Sequence, residues 1–292
     1  MGKAFLSGIL CREIAEDDFG EVVDCLARGF PERPRAYWEA GLERMAARPR
    51  MDDYPRFGHL LAFGGHVVGV LLQIFSRRET AAGDAVFCNL SSWCVDVEHR
   101  SYSIMLHMAA VKRKDVTYLN ISPAPHTRKT IERLGFRRYS EGQMIASPLL
   151  SPPRSGVRMI DFVADSAEAV RLTASERQML ADHAAMGCLP LIGLKDGEAH
   201  PFLFQSRMFL RERIPCAHLI YCRDLDDFVA FAHAIGRRLA KRRQLFCFID
   251  AKARVSGLVG GYFADRRPRY YQGPTSPRLG DLAYTEVVLF GP

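Results

Sequence analysis

A polar turn of four residues, Arg100-Ser101-Tyr102-Ser103, lies between two apolar segments of different character. Residues 89–97, before the turn, have the composition of a strand. After it, segment 104–114 has apolar residues at 104, 108 and 111, which is helical spacing. A turn that opens a helix presents backbone N–H groups outward, and such groups bind anions. The turn is therefore a candidate phosphate-binding site.

The elements that would position this turn follow it along the chain. Residues 116–121 form a second strand candidate, which Pro123 and Pro125 end. A short helix then runs to Leu134-Gly135-Phe136, with Gly135 as the residue after the helix end. The order strand, turn, helix, strand, helix predicts two parallel strands joined by a crossover helix.

Segment 89–136 resembles the core of the GCN5-related N-acyltransferase (GNAT) family. In that family a strand–turn–helix of the form V-x-P-x-x-R-G-x-G-I-G holds the pyrophosphate of coenzyme A. Ser101, Ser103 and Met105 stand where the family has glycines, and serine lacks the conformational freedom of glycine. The residues that fall in register are Val95, Arg100, Ile104 and Leu134-Gly135-Phe136.

The resemblance implies a fold, a co-substrate and a reaction. The fold is α/β (α+β), a mixed sheet flanked by helices. The co-substrate is acetyl-CoA or another acyl-CoA, and the acyl group passes to an amine by direct attack in a ternary complex. The thioester is expected beside Trp93, Cys94 and Val95, where a backbone N–H polarises its carbonyl. The phosphates are expected over Arg100, Ser101, Tyr102, Ser103 and Ile104.

A tyrosine on the last helix often protonates the leaving thiolate in this family. Ile131 stands at the matching position here. Tyr118, Tyr102 and Tyr139 are alternative proton donors, and the sequence does not choose between them.

The sequence does not determine the general base either. Asp96 follows the strand that would hold the thioester, and Ser122 follows the second strand. Each is also an ordinary turn cap or exposed polar group. Nothing near Cys94 in sequence looks like a histidine base that would activate its thiol, so direct attack is favoured over a covalent intermediate.

Composition limits the functional classes. The chain has 292 residues, 48% of them hydrophobic and 25% charged, which suits two soluble globular domains. Its eight cysteines form no C-x-x-C pair, which predicts reduced thiols in a cytoplasmic protein. No histidine motif predicts a metal, and no apolar run reaches the roughly 20 residues of a membrane helix. The net charge of +7 favours an anionic partner such as coenzyme A, and no nucleic-acid signature accompanies it.

The second half of the chain repeats the first in outline. Segment 147–156, rich in proline and serine, is the predicted domain junction. Hairpins are predicted at Gly64-Gly65 and at Asp196-Gly197. Thr173 and Glu176 form a capping-box pattern that opens a helix, a second helix is expected over 226–241, and a closing strand over 284–290.

We therefore expect two tandem GNAT-like mixed sheets. Residues 1–150 form the acyl-CoA-binding domain and residues 151–292 a degenerate copy. The turn at 223–227 contains three aspartates and no glycine, and these would repel a pyrophosphate. The predicted function is N-acyl transfer to a small-molecule amine or an amino sugar. Two alternatives stay open: a non-catalytic ligand-binding or interaction protein, and an aminoacyl-tRNA-dependent transferase. The acceptor, the acyl length and whether the chain forms a homodimer are not determined by the sequence.

Overall fold

The computed structural model describes residues 8–80, 83–210 and 213–291, which contain seven α-helices and twelve strands. The strands are β1 (Ile9–Glu13), β2 (Gly58–Phe63), β3 (His66–Thr80), β4 (Gly83–Val95), β5 (Val116–Asn120), β6 (Arg137–Ala146), β7 (Arg158–Asp161), β8 (Leu189–Lys195), β9 (Glu198–Phe209), β10 (Ile214–Tyr221), β11 (Cys247–Ala251) and β12 (Gly260–Gln272). The helices are α1 (Phe19–Gly29), α2 (Arg35–Ala46), α3 (Ser103–Ala110), α4 (Arg128–Arg133), α5 (Ala174–Ala185), α6 (Leu225–Ala240) and α7 (Glu286–Leu289). None of these helices combines the length and the apolar character that crossing a membrane requires.

Contacts between residues divide the chain into two compact units. The first contains the chain up to Ile121 together with two later segments, Gln272–Thr275 and Tyr284–Gly291. The second contains Ser122–Tyr271 and Ser276–Ala283. Residues 122–150 thus fall in the second unit, because β6 pairs with β11 and β12. The predicted division into two domains, residues 1–150 and residues 151–292, stays a prediction.

The first unit has a five-stranded mixed sheet in the order β1-β2-β3-β4-β5. Its pairs are antiparallel except β4–β5, which is parallel. The predicted hairpin between β2 and β3 is confirmed. Gly64 and Gly65 turn the chain with φ of 58° and 89°, the left-handed conformation that a two-residue hairpin turn requires.

The late segment Tyr284–Gly291 packs on helix α2 of the first unit. The ring of Phe290 lies 5.8 Å from that of Trp38, and Arg44 Nη1 donates to the carbonyl oxygen of Leu289 at 2.9 Å. The predicted closing strand over 284–290 is wrong, since the segment forms α7. The β-branched residues Val287 and Val288 favour a strand locally, but both are buried in a helical turn that docks on the first unit.

Gly41 is the residue of α2 that makes room for Phe290, since a Cβ there would lie 2.0 Å from the Phe290 ring. We expect Gly41→Ala to lower the free energy of unfolding by about 1–3 kcal/mol, the usual cost of overpacking a core. Gly20→Ala on α1 is the matched control: a Cβ there meets nothing within 4 Å, and alanine favours a helix. Urea unfolding of both variants tests this, and equal stabilities would contradict the docking of α7.

The second unit also has a mixed sheet, in the order β12-β6-β11-β10-β9-β8-β7. Its one parallel pair is β10–β11, and the predicted hairpin between β8 and β9 is confirmed at Asp196 and Gly197, whose φ values are 51° and 83°. The predicted helix over 226–241 is α6, displaced by one residue. The α/β fold class predicted from the sequence is confirmed.

The first residues of segment 147–156, the predicted domain junction, pack against helix α6. Pro148–Leu150 forms a 3-10 turn against α6, where a Cβ on Gly236 would lie 2.2 Å from the backbone nitrogen of Leu149. The carbonyl oxygen of Leu149 lies 3.0 Å from His233 Nδ1. Local composition indicated a linker because prolines end regular structure, but it carried no information on this long-range contact.

Helix α5 begins with the predicted capping box. Glu176 N donates to Thr173 Oγ1 at 3.2 Å, and Thr173 N donates to Glu176 Oε2 at 3.1 Å. Thr173→Ala is expected to lower the free energy of unfolding by about 1 kcal/mol, because the helix loses the cap. Thr173→Ser keeps the hydroxyl and should lose much less. A thermal or urea melt in which both variants fall equally would contradict the capping role.

Candidate functional site

Strand β5 (Val116–Asn120) pairs in parallel with β4 along all but its last residue, whereas β4 extends beyond this pairing. Their register runs from Val86 opposite Val116 to Asn89 opposite Leu119. Strand β4 continues to Val95, and it pairs with β3 from Gly83 to Val95. We call the end of the pairing, at Asn89 and Leu119, the fork. The resemblance implies that β4 and β5 separate beyond the fork, and this separation stays a prediction.

A β-bulge lies in β4 beyond the fork. Val70 pairs with Cys94 and Leu72 with Ser91, so Ser92 and Trp93 together oppose one residue of β3. Ser92 has a φ of 54°, which is uncommon for a residue other than glycine. A bulge increases the local twist and bends the strand away from its former direction. The bulge therefore changes the direction of the end of β4, which carries Trp93, Cys94 and Val95.

The predicted thioester-binding residues form the end of β4, where helices lie on both faces of the strand. The Trp93 ring stacks on His107 of α3, with ring centroids 5.7 Å apart. Cys94 Sγ lies 3.9 Å from Cys25 Sγ of α1. The contact with Cys25, and then burial, raise the pKa of the Cys94 thiol. A thiol with a raised pKa is a weak nucleophile at neutral pH.

Asp96, one of the predicted bases, ends the strand. Its Oδ2 accepts from Arg28 Nη2 at 2.8 Å, and its backbone N–H donates to the carbonyl oxygen of Val68 at 2.8 Å. Arg28 also donates to the carbonyl oxygen of Val67. These bonds tie the end of β4 to α1 and β3. A base role for Asp96 requires that it give up the ion pair with Arg28.

The predicted phosphate turn is a 3-10 turn, Val97–Tyr102, that runs directly into α3. The N–H of Ser103 donates to the carbonyl oxygen of Arg100, so this N–H is already used within the turn. Arg100, Ser101 and Ile104 are exposed, while Tyr102 and Ser103 are half-buried. These positions leave the Arg100 side chain in solvent, where an anion reaches it.

Helix α3 differs from its predicted length and orientation. It ends at Ala110 rather than 114, and Ile104 and Met108, two of the apolar residues at helical spacing, are 42% and 66% exposed. The buried residues are Leu106, His107 and Ala110. The apolar spacing was misleading because a histidine occupies the buried face, where it stacks on Trp93.

The remaining predicted catalytic residues are Tyr118, in the first unit, and Ser122, in the second. The Tyr118 hydroxyl is held by both backbone groups of Arg113: it accepts from the N–H and donates to the carbonyl oxygen, each at 3.1 Å. Burial raises the pKa of Tyr118. An acid role requires that these bonds break. Ser122 is exposed and is the first residue of the second unit. Both roles stay predictions.

Sequence reasoning missed three features of this site: the bulge, the Arg28–Asp96 pair and the buried side chain of Asn89. No periodicity predicts a bulge at a serine, and ion pairs between distant segments leave no local signal. Asn89 did carry a signal, because an asparagine inside an apolar strand must find partners for its amide. Within 8–80, 83–210 and 213–291, no cluster of three or more His, Cys, Asp or Glu side chains is suited to hold a metal ion.

In the corresponding turn of the second unit, residues 223–227, the side chains of Asp224 and Arg223 already have hydrogen-bond partners. Asp224 Oδ1 accepts from Asp227 N at 2.7 Å and so caps α6. Arg223 donates from Nε and Nη2 to the carboxylate of Glu176, at 2.7 and 2.8 Å. A cavity of about 320 Å³ lies beside these residues, and Lys252 and Arg278 also line it. The prediction that the first half rather than the second binds coenzyme A stays untested.

Solved structures with the same fold are GCN5-related acetyltransferases. An acetyltransferase candidate from Pyrococcus horikoshii is 12% identical, with a TM-score of 0.58, and the match covers 97% of this chain and 96% of that one. A GCN5-related N-acetyltransferase from Anabaena variabilis is 8% identical, with a TM-score of 0.59 and coverage of 90% and 72%. One from Kribbella flavida is 12% identical, with a TM-score of 0.54 and coverage of 90% and 70%. These likenesses show that the chain has the GNAT fold. No protein-family model and no curated protein sequence matches it.

Proposed function

We propose that the chain is an acyl-CoA-dependent N-acyltransferase that works at the fork of the first unit. The observation that carries the proposal is the unequal length of the paired strands: pairing stops at Asn89 and Leu119, β5 ends at Asn120, and β4 continues to Val95. A pantetheine arm carries amide groups, so it suits a position beside the unpaired part of a strand. The GNAT fold supports the same reaction class.

The proposed reaction is a single displacement at the thioester. The amine nitrogen of the acceptor attacks the carbonyl carbon, an N–C bond forms, and the C–S bond breaks to release coenzyme A as a thiolate. The amine loses one proton and the thiolate gains one. Positioning of the two reactants, together with a backbone N–H of β4 near the carbonyl oxygen, supplies the catalysis.

Release of thiol from acetyl-CoA tests the proposal. The purified chain is incubated with acetyl-CoA and a panel of small amines and amino sugars, and free thiol is measured over time. We expect release that depends on both enzyme and amine. Arg100→Ala is expected to raise the KM for acetyl-CoA, because one exposed cation near the phosphates is lost, with little change for acetylpantetheine, which lacks those phosphates. Equal effects on both donors would contradict a phosphate contact at Arg100.

A second candidate is a protein that binds acyl-CoA without transferring the group. This candidate is favoured because the predicted acid and base already have hydrogen-bond partners. Tyr118 bonds the backbone of Arg113, and Asp96 bonds the side chain of Arg28. Under this candidate acetyl-CoA binds, but no amine in the panel releases thiol. Amine-dependent thiol release excludes it.

A further inference from the structure

Asn89 is a buried amide at the fork, with 1% of its surface exposed. Its Nδ2 donates to the carbonyl oxygen of Leu119 on β5 at 3.4 Å and to that of Leu90 on β4 at 3.1 Å. Its Oδ1 accepts from the backbone N–H of Glu286 at 2.7 Å. The reverse orientation of the amide would place its oxygen against two carbonyl oxygens. These three partners are all backbone groups, one on each strand of the fork and one on α7.

The segments that return to the first unit contact both strands of the fork. Glu286, the first residue of α7, reaches β4 through Asn89. On β5, Thr117 Oγ1 accepts from Thr275 N at 3.0 Å and donates to the carbonyl oxygen of Thr275 at 3.2 Å. Gly273 lies against the same residue, where a Cβ would be 2.5 Å from Thr117 Cα. The far end of the described chain thus holds the two strands on which the opening depends.

Two features of β4 lie at and just beyond the fork, where β5 ends at Asn120. The bulge at Ser92 and Trp93 turns β4 away. The Asn89 side chain supplies donors to the carbonyl oxygens of Leu119 and Leu90, which lie at the point where the strands separate. Neighbouring parallel strands otherwise pair readily through their backbone groups. A side chain that engages these carbonyl groups fixes where pairing ends.

We propose that Asn89 is a positioning residue that fixes the end of β4–β5 pairing and links it to α7, so that docking of α7 controls how well the fork admits an acyl-CoA. This inference rests on the proposed function for the identity of the ligand. It assigns to Tyr284–Gly291 a role in the site of the first unit, although these residues are distant from the fork along the chain.

Three variants test the inference. Asn89→Leu removes all three hydrogen bonds. Asn89→Asp keeps an acceptor for Glu286 N and removes the donors to Leu119 and Leu90. Gln73→Leu is the matched control: Gln73 is also 1% exposed, on the neighbouring strand β3, and its amide contacts His59, Ala110 and Cys88 Sγ, none of which belongs to β5 or α7. Each variant is checked for folding by urea unfolding, and the KM values for acetyl-CoA and amine are measured together with hydrogen exchange of the free protein.

We expect Asn89→Leu to raise the KM for acetyl-CoA about tenfold, the factor that one lost buried hydrogen bond represents, with the KM for the amine little changed. Hydrogen exchange should rise at 286–289 as α7 loosens. Asn89→Asp should raise the KM for acetyl-CoA while 286–289 stay protected. Gln73→Leu should leave both the acetyl-CoA KM and the exchange at 286–289 near the wild-type values.

Two results separate this inference from the proposed function. If Asn89→Leu leaves both exchange at 286–289 and the acetyl-CoA KM unchanged, or if Gln73→Leu changes both equally, the positioning role is overturned and the proposed function is untouched. If the wild-type chain neither binds nor uses acetyl-CoA, the proposed function fails. The acyl-CoA part of the inference then fails with it, even where Asn89→Leu loosens 286–289.

Discussion

Replacing Arg269 by methionine is expected to lower the free energy of unfolding by about 3–5 kcal/mol. Arg269 and Asp250 are 1% and 5% exposed, and the pair is joined at Nε–Oδ2 2.7 Å and Nη2–Oδ1 3.1 Å. Gln143 Nε2 donates to the same carboxylate at 2.9 Å. Without the guanidinium, a buried carboxylate keeps one neutral partner and loses its countercharge. Chemical unfolding measures the loss.

Two control variants separate the effect of the lost charge on stability from the effect of the changed side-chain shape. The double variant Arg269→Met with Asp250→Leu removes both charges, so it should recover much of the lost stability. Arg138→Met removes an arginine whose ion pairs are partly exposed, and its cost should stay within about 1 kcal/mol. If Arg269→Met costs no more than Arg138→Met, the account of a buried charge pair is wrong.

Acidification from pH 7 to pH 4 is expected to lower the free energy of unfolding by about 3 kcal/mol through His218 alone. Burial lowers the pKa of His218 to about 3; Asp250 opposes this shift, and Arg269, Arg207 and Arg267 add to it. In the unfolded chain a histidine has a pKa of about 6.5. Between these values the unfolded chain binds a proton that the folded chain does not. Stability is therefore full above about pH 6.5 and falls as the pH drops towards 3.

The control for this prediction is a variant of an exposed histidine. His218→Gln removes the buried group, so its stability should depend less on pH between 7 and 4 than that of the wild type. His126→Gln changes an exposed histidine and should keep the wild-type pH dependence. Burial also lowers the pKa of His59 and His107, and both remain in every variant. Parallel curves for wild type and His218→Gln would refute the assignment.

Local patterns predicted the elements whose cause is local. The two hairpins follow from residues that adopt positive φ, Gly64-Gly65 and Asp196-Gly197, and the start of α5 from the reciprocal bonds of Thr173 and Glu176. The order strand, turn, helix, strand at the centre of the first unit was also predictable. Its parallel pairing follows from the handedness and length of the crossover.

Elements fixed by distant contacts were not predictable. Residues 284–290 have strand composition, but they contain helix α7. The backbone N–H of Glu286 donates to the side chain of Asn89, and the ring of Phe290 packs against Gly41. Segment 147–156 has linker composition but packs on α6, because Gly236 has no side chain. In the candidate site, the strand and its bulge bring Trp93 and Cys94 against two different helices. The sequence predicted that these residues lie on the strand, but it did not predict which residues they contact.

The central claim is that the fork binds the acyl-CoA arm, and hydrogen exchange with and without acetyl-CoA, alongside calorimetry, tests it most directly. The account predicts measurable heat of binding and new protection at 90–95 and 97–103, with no comparable protection at 219–221 in the second unit. Absence of binding heat at millimolar acetyl-CoA, or protection confined to residues away from 90–95, would contradict it.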